Sequence, residues 1–416
     1  MATGAQDLRR MLDELGRISD ERGRLTRTFL SPAMRRANAR VATWMRSVGL
    51  NVREDATGNL IGRLEAPRSG AKTLLLGSHL DTVRAAGRFD GALGVLLPIV
   101  ALGELRRRGV ALPFAVEVLG FSEEEGVRFS SGYLGSKGYT GQLRAADLKL
   151  RDAGGVSVRQ AMAAWSRGAP AAELRSAAAR APRPQQWLGY LEVHLEQGPV
   201  LEAKRLAVGV VSAIAGQTRG RLTFCGQAGH AGTTPMALRR DAFTGAAEWA
   251  LAVETLARRS SPLVATVGAV VVAPGAPNVI PGEVVLSLDV RHPDDGARRD
   301  ALRRLIADAK KIARRRGLTC EWQVTQDNGA VSCSVPFTDL LAQSVRAVQR
   351  RSLALVSGAG HDAVVMAALT PVAMLFVRCR EGLSHHPDEF ASPADLNVAL
   401  RVIVDFLTRL AGHEKI

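Results

Sequence analysis

The sequence predicts an α/β protein whose main domain has a mixed, mostly parallel sheet and carries a smaller inserted domain. Three observations lead to this prediction. Short aliphatic runs such as 73–76 alternate with helical patterns, which is typical of buried parallel strands joined by helices. The stretch 216–328 interrupts this pattern with a different composition. At 416 residues the chain is also long for one hydrophobic core.

The main domain is predicted from its helix and strand signals in order. Apolar residues at helical spacing over 8–15 indicate a first helix, and Ser31 with Pro32 provides the cap and first turn of a second. A strand, a helix and a strand over 73–121 imply a parallel pair, because the crossover returns the chain to the same edge. The predicted elements are helices at 34–48, 92–108, 337–351 and 394–410, strands at 51–54, 60–64, 73–76, 114–121, 188–193 and 372–376, and a weakly patterned stretch at 154–184 that we expect to be helical.

The inserted stretch contains two strand-helix-strand units, which together resemble a compact βαββαβ domain. Its predicted elements are strands at 221–224, 265–272, 284–290 and 319–324, helices at 241–258 and 295–316, a Gly-rich loop at 226–235 and a turn at 273–282. We therefore divide the chain into a main domain, 1–215 with 329–416, and an inserted domain, 216–328.

Composition indicates an ordinary globular protein, with 46% apolar residues, 23% charged residues and a mean hydropathy of +0.02. No apolar stretch approaches the roughly 20 residues that cross a bilayer, and the N-terminus lacks the apolar core of a secretory signal. The four cysteines lack metal-ligand spacing and fit reduced thiols. We therefore expect a cytoplasmic protein without a membrane partner, in which His, Asp and Glu are the candidate metal ligands.

The formal charge is +15, from 55 Lys and Arg against 40 Asp and Glu. Such a surplus allows nucleic-acid binding through phosphate contacts. The arginines, however, are dispersed along predicted helices with few aromatic residues between them, which favours solvated helix faces and an anionic small substrate. We expect no nucleic-acid partner.

Three candidate metal or acid/base residues follow the strand at 73–76. His79 and Asp81 would point the same way in an extended segment, so Asp81 can hold the imidazole in one tautomer. Asp90 returns to the same edge of the sheet, where ligands bind in open α/β folds. A bridging carboxylate beside a histidine can begin a two-metal site, although a loop histidine bonded to its neighbour remains the alternative interpretation.

Other predicted strand ends bring further candidates to this edge. The strand at 114–121 is followed by Glu123, Glu124 and Glu125, and the strand at 188–193 by His194. The histidines in predicted loops or at strand ends are His79, His194, His230, His361, His385 and His386. This distribution is not expected of buried structural histidines, and it favours a catalytic metal site.

Eight motifs spread over nearly the whole chain carry a family resemblance. They are Gly77-Ser-His-Leu-Asp-Thr-Val83, Arg88-Phe-Asp-Gly91, Ser122-Glu-Glu-Glu-Gly-Val-Arg-Phe129, His194-Leu-Glu-Gln-Gly-Pro199, Gly229-His-Ala-Gly-Thr-Thr-Pro235, Pro277-Asn-Val-Ile-Pro281, Gly358-Ala-Gly-His-Asp362 and Ser384-His-His-Pro387. The sequence resembles the M20 metallopeptidase and amidohydrolase family, specifically its allantoate amidohydrolases and N-carbamoyl-L-amino acid hydrolases. The resemblance implies an aminopeptidase-like catalytic domain, and an inserted domain that acts as a lid and forms a homodimer.

The resemblance also implies two divalent metal ions. The first would be held by His79, Asp90 and His194, and the second by Asp90, Glu125 and His385, with Asp90 shared. Zinc or manganese is favoured, and cobalt or nickel also suits these ligands. His386 is not expected to be a ligand, and Glu123 is expected at the surface or behind the ligands.

Catalytic and substrate-binding roles follow from the same resemblance. Glu124 corresponds to the general base, and Asp81 is included among the catalytic residues because it can hold the His79 imidazole. The residues that correspond to substrate-binding positions are Gln197, His230, Asn278, Arg291 and His361. His230 is further expected to polarise the scissile carbonyl, from its own or the partner subunit, and Arg291 to hold a substrate carboxylate through paired hydrogen bonds.

The predicted function is hydrolysis of the ureido C–N bond of allantoate, a small anionic substrate, which gives ureidoglycine, carbon dioxide and ammonia. An N-carbamoyl-L-amino acid hydrolase or a β-ureidopropionase is the nearest alternative, and an aminopeptidase or dipeptidase is third. A basic nucleic-acid-binding protein is the alternative from another class, and it would not depend on a metal.

Overall fold

The computed structural model describes residues 4–166 and 184–412. The chain divides into two compact units: the first runs up to Ser212 and resumes at Cys333, and the second is Ala213–Ser332. Within the stretch predicted as helical at 154–184, residues Val158–Trp165 form a helix, and the part from 167 to 183 lies outside the described residues.

The strands, in chain order, are β1 (Asn51–Glu54), β2 (Leu60–Leu64), β3 (Thr73–His79), β4 (Ala115–Phe121), β5 (Trp187–Leu195), β6 (Val208–Ile214), β7 (Gly216–Cys225), β8 (Gly229–His230), β9 (Val264–Thr266), β10 (Val270–Ala273), β11 (Val279–Ile280), β12 (Glu283–His292), β13 (Thr319–Asn328), β14 (Val331–Ser332), β15 (Ala354–Ser357) and β16 (Val372–Val377). The α-helices are α1 (Gly4–Leu15), α2 (Pro32–Ser47), α3 (Ala92–Arg107), α4 (Leu134–Tyr139), α5 (Val158–Trp165), α6 (Val200–Lys204), α7 (Ala242–Arg259), α8 (Asp295–Arg315), α9 (Val335–Gln349), α10 (Ala363–Met366) and α11 (Pro393–Gly412).

The large sheet has the strand order β1-β2-β4-β3-β5-β16-β6-β14, and β15 also pairs with β6. Its central strands β4, β3, β5 and β16 are parallel, while β1, β2, β6 and β14 pair in antiparallel fashion. The predicted mixed sheet with a largely parallel centre is confirmed. Because parallel strands end at one edge, the carboxyl ends of the four central strands lie side by side.

The core of the first unit explains why its central strands read as continuous apolar runs. Every residue of β3 and of β4 is buried. The helix α3 is buried along most of its length and packs against β3, and also against α1 and α11. Ser31 caps α2 as predicted, since its hydroxyl oxygen accepts a hydrogen bond from the Met34 N–H at 3.1 Å.

The inserted unit has its own sheet, in the order β10-β12-β7-β13, with β9 also paired to β12. These pairs are antiparallel. Along the chain, α7 follows β7 and α8 follows β12, which gives a βαββαβ order. Both helices contribute to a separate apolar core, in which the indole N–H of Trp249 donates a hydrogen bond to the Leu305 carbonyl at 2.8 Å.

The structure corrects the predicted strand at 265–272. It is two strands, β9 and β10, which pair with different parts of β12. Between them, the Ala269 N–H donates to the hydroxyl oxygen of Ser287, so a side chain replaces part of the backbone ladder. The seven-residue strand β6 was not predicted. The pair β8 and β11 was not predicted either, because two-residue strands are too short to show an alternating pattern.

Among the described helices, none combines the length and apolar character needed to cross a membrane.

Candidate active site

The end of β3 fixes two of the predicted site residues. His79 is the last residue of the strand and is 2% exposed, and Asp81, two residues later, is 1% exposed. His79 Nδ1 lies 3.1 Å from the Asp81 carbonyl oxygen and 3.3 Å from Asp81 Oδ1. A proton on Nδ1 shared with Asp81 leaves the Nε2 lone pair directed away from Asp81, as metal coordination requires.

Asp81 also fixes the turn that follows β4. Its Oδ1 accepts a hydrogen bond from the Glu124 N–H at 3.0 Å, and its Oδ2 accepts one from the Glu125 N–H at 3.2 Å. One buried carboxylate therefore sets both the orientation of the imidazole and the backbone of the candidate base.

Asp90 lies at the centre of the histidines. Its Oδ1 is 3.0 Å from His194 Nε2 and 3.8 Å from His79 Nε2. Its Oδ2 is 3.1 Å from His385 Nε2. The two oxygens of one carboxylate thus face different imidazoles, which is the geometry that a bridging ligand needs.

Four groups of ligand-type side chains have donor atoms within 4.8 Å of one another. They are His79 with Asp90 and His194, Asp90 with Glu125 and His385, His79 with Glu124 and Glu125, and Glu192 with His194 and His361. The first two contain the same residues as the two ligand sets that the family resemblance implies.

The loop that carries Asp90 is held by Glu389, which the sequence interpretation missed, and is shaped by Gly91. Glu389 Oε1 accepts hydrogen bonds from the Phe89 and Asp90 N–H groups at 2.9 and 3.1 Å. Gly91 has a φ of 63°, and a Cβ at this position would overlap the His79 ring. Glycine is therefore required there, both for the backbone conformation and for the close approach of the imidazole.

The three adjacent glutamates lie in a turn after β4, so strand alternation does not decide their orientation. Glu125 joins Asp90 and His385, whereas Glu124 approaches His79. Glu123 is fully buried, and its Oε1 accepts a hydrogen bond from the Gly126 N–H at 2.6 Å. The alternative of a surface position for Glu123 is wrong, because this bond closes the turn and keeps the side chain inside.

Burial and nearby charges oppose each other at the carboxylates. Burial raises the pKa of Asp90, but hydrogen bonds from His194 and His385 outweigh it and hold this pKa well below its ordinary value. Burial raises the pKa of Glu125 to about 7, and the charge of Asp90 acts in the same direction. Burial also raises the pKa of Glu124 well above its ordinary value, although His79 opposes this shift.

At the imidazoles of His79 and His385, burial lowers the pKa and the nearby carboxylates raise it. Burial lowers the pKa of His79, but the hydrogen bond to Asp81 and the charges around it raise that pKa well above its ordinary value. At His385 the hydrogen bond to Asp90 is the largest cause, and the pKa rises to about 9. These shifts mark a site with surplus negative charge, which protons or metal ions can balance.

His385 and Gln197 lie together at the open side of the site. Both have positive φ, 57° and 55°, which is uncommon for residues other than glycine. Gln197 Nε2 donates to Asp90 Oδ2 at 3.3 Å and to the Ser384 hydroxyl oxygen at 3.2 Å. The neighbouring His386 instead accepts a hydrogen bond from the Asp388 N–H and lies among exposed residues.

His361 lies behind His194, with the ring centroids 4.5 Å apart. It is 1% exposed, and its Nε2 is 2.7 Å from the Ser357 hydroxyl oxygen. Burial lowers its pKa well below the ordinary value, and His194 lowers it further. This buried position places His361 against a candidate metal ligand, and the predicted contact with substrate remains a prediction.

The other predicted substrate-binding residues belong to the inserted unit. His230 is exposed at the end of β8, and its Nδ1 accepts a hydrogen bond from the Gly232 N–H at 3.0 Å. Asn278 is also exposed, and its backbone carbonyl oxygen accepts a hydrogen bond from the Ala231 N–H at 2.9 Å. Antiparallel pairing of β8 and β11 therefore brings the His230 and Asn278 loops together.

Arg291 already forms a two-point ion pair. Its Nε donates to Asp289 Oδ1 at 2.9 Å and its Nη2 to Asp289 Oδ2 at 2.8 Å. This pairing holds the guanidinium beside Asp289.

The residues at the sheet edge fit divalent metal ions. Glu125 Oε1 is buried and lies 3.4 Å from His385 Nε2, but it accepts no hydrogen bond within the described part of the chain. A buried carboxylate oxygen without a donor calls for a cation. Imidazole nitrogens and carboxylates together suit zinc, manganese, cobalt and nickel.

Comparisons with known proteins place the chain in a family. Residues 75–409 match the model of peptidase family M20/M25/M40. The chain is 40% identical to a protein from Arabidopsis thaliana named allantoate deiminase, with 95% of this chain and 80% of that protein covered. It is 36% identical to an N-carbamoyl-L-amino-acid amidohydrolase from Pseudomonas sp. (strain NS671), with 97% of each covered.

The structural comparison agrees with the sequence comparison. A crystal structure of an amidase of the hydantoinase/carbamoylase family from Burkholderia multivorans superposes with a TM-score of 0.91 at 30% identity, and 98% of each chain is covered. The predicted resemblance and the predicted hydrolase of C–N bonds are confirmed. The chain belongs to peptidase family M20/M25/M40, a family of metal-dependent hydrolases.

Proposed function

We propose that this protein hydrolyses the ureido C–N bond of allantoate. The observation that carries the hydrolytic part is the position of Asp90, whose two oxygens face different candidate ligands beside Glu124. Similarity to the Arabidopsis protein named allantoate deiminase supports the choice of substrate. In the proposed reaction water adds to the ureido carbonyl carbon and one C–N bond breaks, which releases a carbamate or ammonia. The carbamate formed then loses carbon dioxide as its own C–N bond breaks, so the end products are ureidoglycine, carbon dioxide and ammonia.

We assign one divalent ion to His79, Asp90 and His194 and a second to Asp90, Glu125 and His385, with zinc or manganese as the favoured metals. Such ions would polarise the scissile carbonyl and make water a better nucleophile. The residues around them have separate tasks. Asp81 fixes the His79 ring, and Glu389 holds the backbone of the shared ligand.

Glu124 is the proposed proton carrier. Its backbone is fixed by Asp81, and its side chain approaches His79 and Glu125. It would accept a proton from the attacking water and deliver that proton to the leaving nitrogen. The elevated pKa of this carboxyl, caused chiefly by burial, makes it a stronger base than an exposed glutamate.

Allantoate carries one carboxylate and two ureido groups on a single carbon, and each needs a different partner. We assign the carboxylate to Arg291 and the second ureido group to Gln197 and Asn278, with His361 in support. His230 is assigned to the developing oxyanion, because its exposed imidazole can donate a hydrogen bond. For these residues the support is the family resemblance together with their side-chain chemistry.

The second candidate function is hydrolysis of N-carbamoyl-L-amino acids. The Pseudomonas relative with that name matches over 97% of both chains. Such a substrate needs the same metal ligands and the same base, but it replaces the second ureido group with a side chain. A large apolar side chain would require an apolar pocket in place of the polar partners assigned above.

A substrate panel tests the proposal. Protein reconstituted with zinc or manganese is assayed for ammonia release from allantoate, ureidoglycolate, N-carbamoyl-L-methionine and N-carbamoyl-β-alanine. We expect the highest kcat/KM with allantoate, and loss of all activity after chelation with retention of the far-UV spectrum. A higher kcat/KM with a carbamoyl amino acid would transfer the assignment to the second candidate. Activity that survives chelation would contradict the metal mechanism.

We further propose a cytoplasmic homodimer formed through the inserted unit. The four cysteines are free, which suits a reducing compartment. Sedimentation of the full chain tests the dimer. The same measurement is made on Val271→Asp, which introduces a charge at an exposed valine of β10. A wild-type protein that sediments as a monomer would exclude it.

A further inference from the structure

Tyr133 is anchored to the backbone of the candidate base. Its N–H donates a hydrogen bond to the Glu124 carbonyl oxygen at 3.2 Å, so the loop that carries the glutamates turns back on itself. Tyr133 has a φ of 67°, a left-handed conformation that large side chains rarely adopt. A residue that tolerates this conformation better, such as glycine or asparagine, would close the same loop. The aromatic side chain is therefore not explained by the backbone.

Gly360 places the Tyr133 hydroxyl group close to Glu124. A Cβ at position 360 would overlap the hydroxyl oxygen of Tyr133, and it would lie 3.8 Å from Glu124 Oε1. The hydroxyl oxygen and the carboxylate oxygen thus lie around the same point in the loop before His361. Any side chain at position 360 would displace the phenol.

The surroundings of the phenol are rich in acceptors. Burial raises the pKa of Tyr133 well above its ordinary value, and the charges of Glu124, Asp362 and Glu192 act in the same direction. The phenol therefore keeps its proton and remains a neutral donor. Among the described residues, the Tyr133 hydroxyl group and the Glu124 carboxylate form no side-chain hydrogen bond, so each can take the other as its partner.

We propose that Tyr133 is a positioning residue for Glu124. The Tyr133 hydroxyl group donates a hydrogen bond to one oxygen of the Glu124 carboxylate and leaves the other oxygen for the attacking water. This inference rests on the proposed role of Glu124 as the base. Without the hydrogen bond, the carboxylate can rotate about its side-chain bonds, and fewer molecules have the base aligned for proton transfer.

Kinetics of Tyr133→Phe, which removes only the hydroxyl group, test the proposal. We expect kcat to fall about tenfold to a hundredfold, the range for loss of a hydrogen bond to a charged group, with KM and metal content unchanged. In a Glu124→Gln background the same substitution should cost no further activity. Gly360→Ala should lower kcat in the wild type and cost less in the Tyr133→Phe background, because no hydroxyl group remains to be displaced.

The matched control is Tyr139→Phe. Tyr139 donates a hydrogen bond to Glu117 Oε2 at 2.7 Å, outside the group of candidate ligands, so its loss should affect stability and leave kcat unchanged. A kcat of Tyr133→Phe equal to wild type, or an additive effect with Glu124→Gln, would overturn the inference while the proposed function stands.

A spectroscopic readout separates the inference from the proposed function, because it needs no turnover. The near-UV tyrosine difference spectrum between wild type and Glu124→Gln should show a shift that disappears when both proteins carry Tyr133→Phe. Such a shift in a protein inactive on every ureido substrate would support the contact and reject the proposed function. Absence of the shift would overturn the contact, whatever the substrate.

Discussion

The candidate ligands at the sheet edge and the predicted substrate residues of the inserted unit are held in different ways. The side chains of His79, Asp90 and His194 are no more than 4% exposed, and each has a defined hydrogen-bond partner. His230 and Asn278 are exposed, and mainly the backbone pairing of β8 with β11 holds them. The first group is therefore organised before substrate arrives, as metal ions require. The side chains of the second group are exposed and make few contacts with the fold, so we expect substitutions there to leave stability and metal content unchanged.

Glu124→Gln should give the largest loss of turnover among variants that keep both metal ions. We expect kcat to fall about 10³-fold, because the amide cannot carry the proton while the coordination is unchanged. Elemental analysis should show full metal content. Glu125→Gln is the matched control, and it should lose one ion. Exchange of the two phenotypes would show that the ligand and base roles of these residues are reversed.

His230→Ala tests the role of the exposed group. Loss of one hydrogen-bond donor to an oxyanion costs about 10²-fold in kcat, and we expect this size of effect. The melting temperature and the metal content should equal those of wild type, since His230 is exposed and makes one local side-chain hydrogen bond. Loss of metal in this variant would contradict the division into two groups.

Arg291→Lys should act on KM. A lysine ammonium cannot form the two parallel hydrogen bonds of a guanidinium, so we expect KM for allantoate to rise about tenfold with a smaller change in kcat. Asp289→Asn is the companion variant, because it weakens the ion pair that orients Arg291. An unchanged KM in both variants would remove Arg291 from the substrate site.

Metal uptake should release protons, and we expect this effect to be smaller than the kinetic effects of the substitutions above. The hydrogen bond that His385 donates to Asp90 raises the pKa of His385 to about 9 in the metal-free protein. The charged pair therefore stabilises the fold fully below the ordinary histidine pKa of about 6.5, and this contribution is lost as pH rises through about 9. A metal ion must displace the proton, so affinity falls as pH falls. Calorimetry at about pH 7.5 in two buffers of different ionisation enthalpy measures the protons released, and uptake without release would contradict this prediction.

The proximity of His79, Glu125 and His194 could be predicted from sequence because each ends or follows an aliphatic run, whereas His385 was assigned from the family resemblance. His79 and His194 end or nearly end strands of a parallel sheet, and such strands share an edge. The positions of Glu389 and Tyr133 could not be predicted in this way. Glu389 binds backbone N–H groups 300 residues earlier, and backbone donors leave no trace in a sequence pattern. The position of Tyr133 depends on a left-handed backbone and on Gly360, which only the folded chain brings together.

The secondary structure shows the same limit. Long apolar runs such as β3 and β4 could be read directly, since both of their faces are buried. The break between β9 and β10 could not, because it depends on the Ser287 side chain of a neighbouring strand. The hydrophobic periodicity of a segment indicates which of its faces are buried. It contains no information on which side chain or strand completes the hydrogen bonds of that segment.

The metal content of Asp90→Ala shows whether this one carboxylate joins two metal positions. Purified wild type, Glu125→Gln and Asp90→Ala are loaded with zinc or manganese, dialysed and analysed for bound ions per chain, with circular dichroism to verify folding. We predict two ions for wild type, one for Glu125→Gln and none for Asp90→Ala. A folded Asp90→Ala protein that retains both ions would contradict the bridging role of Asp90.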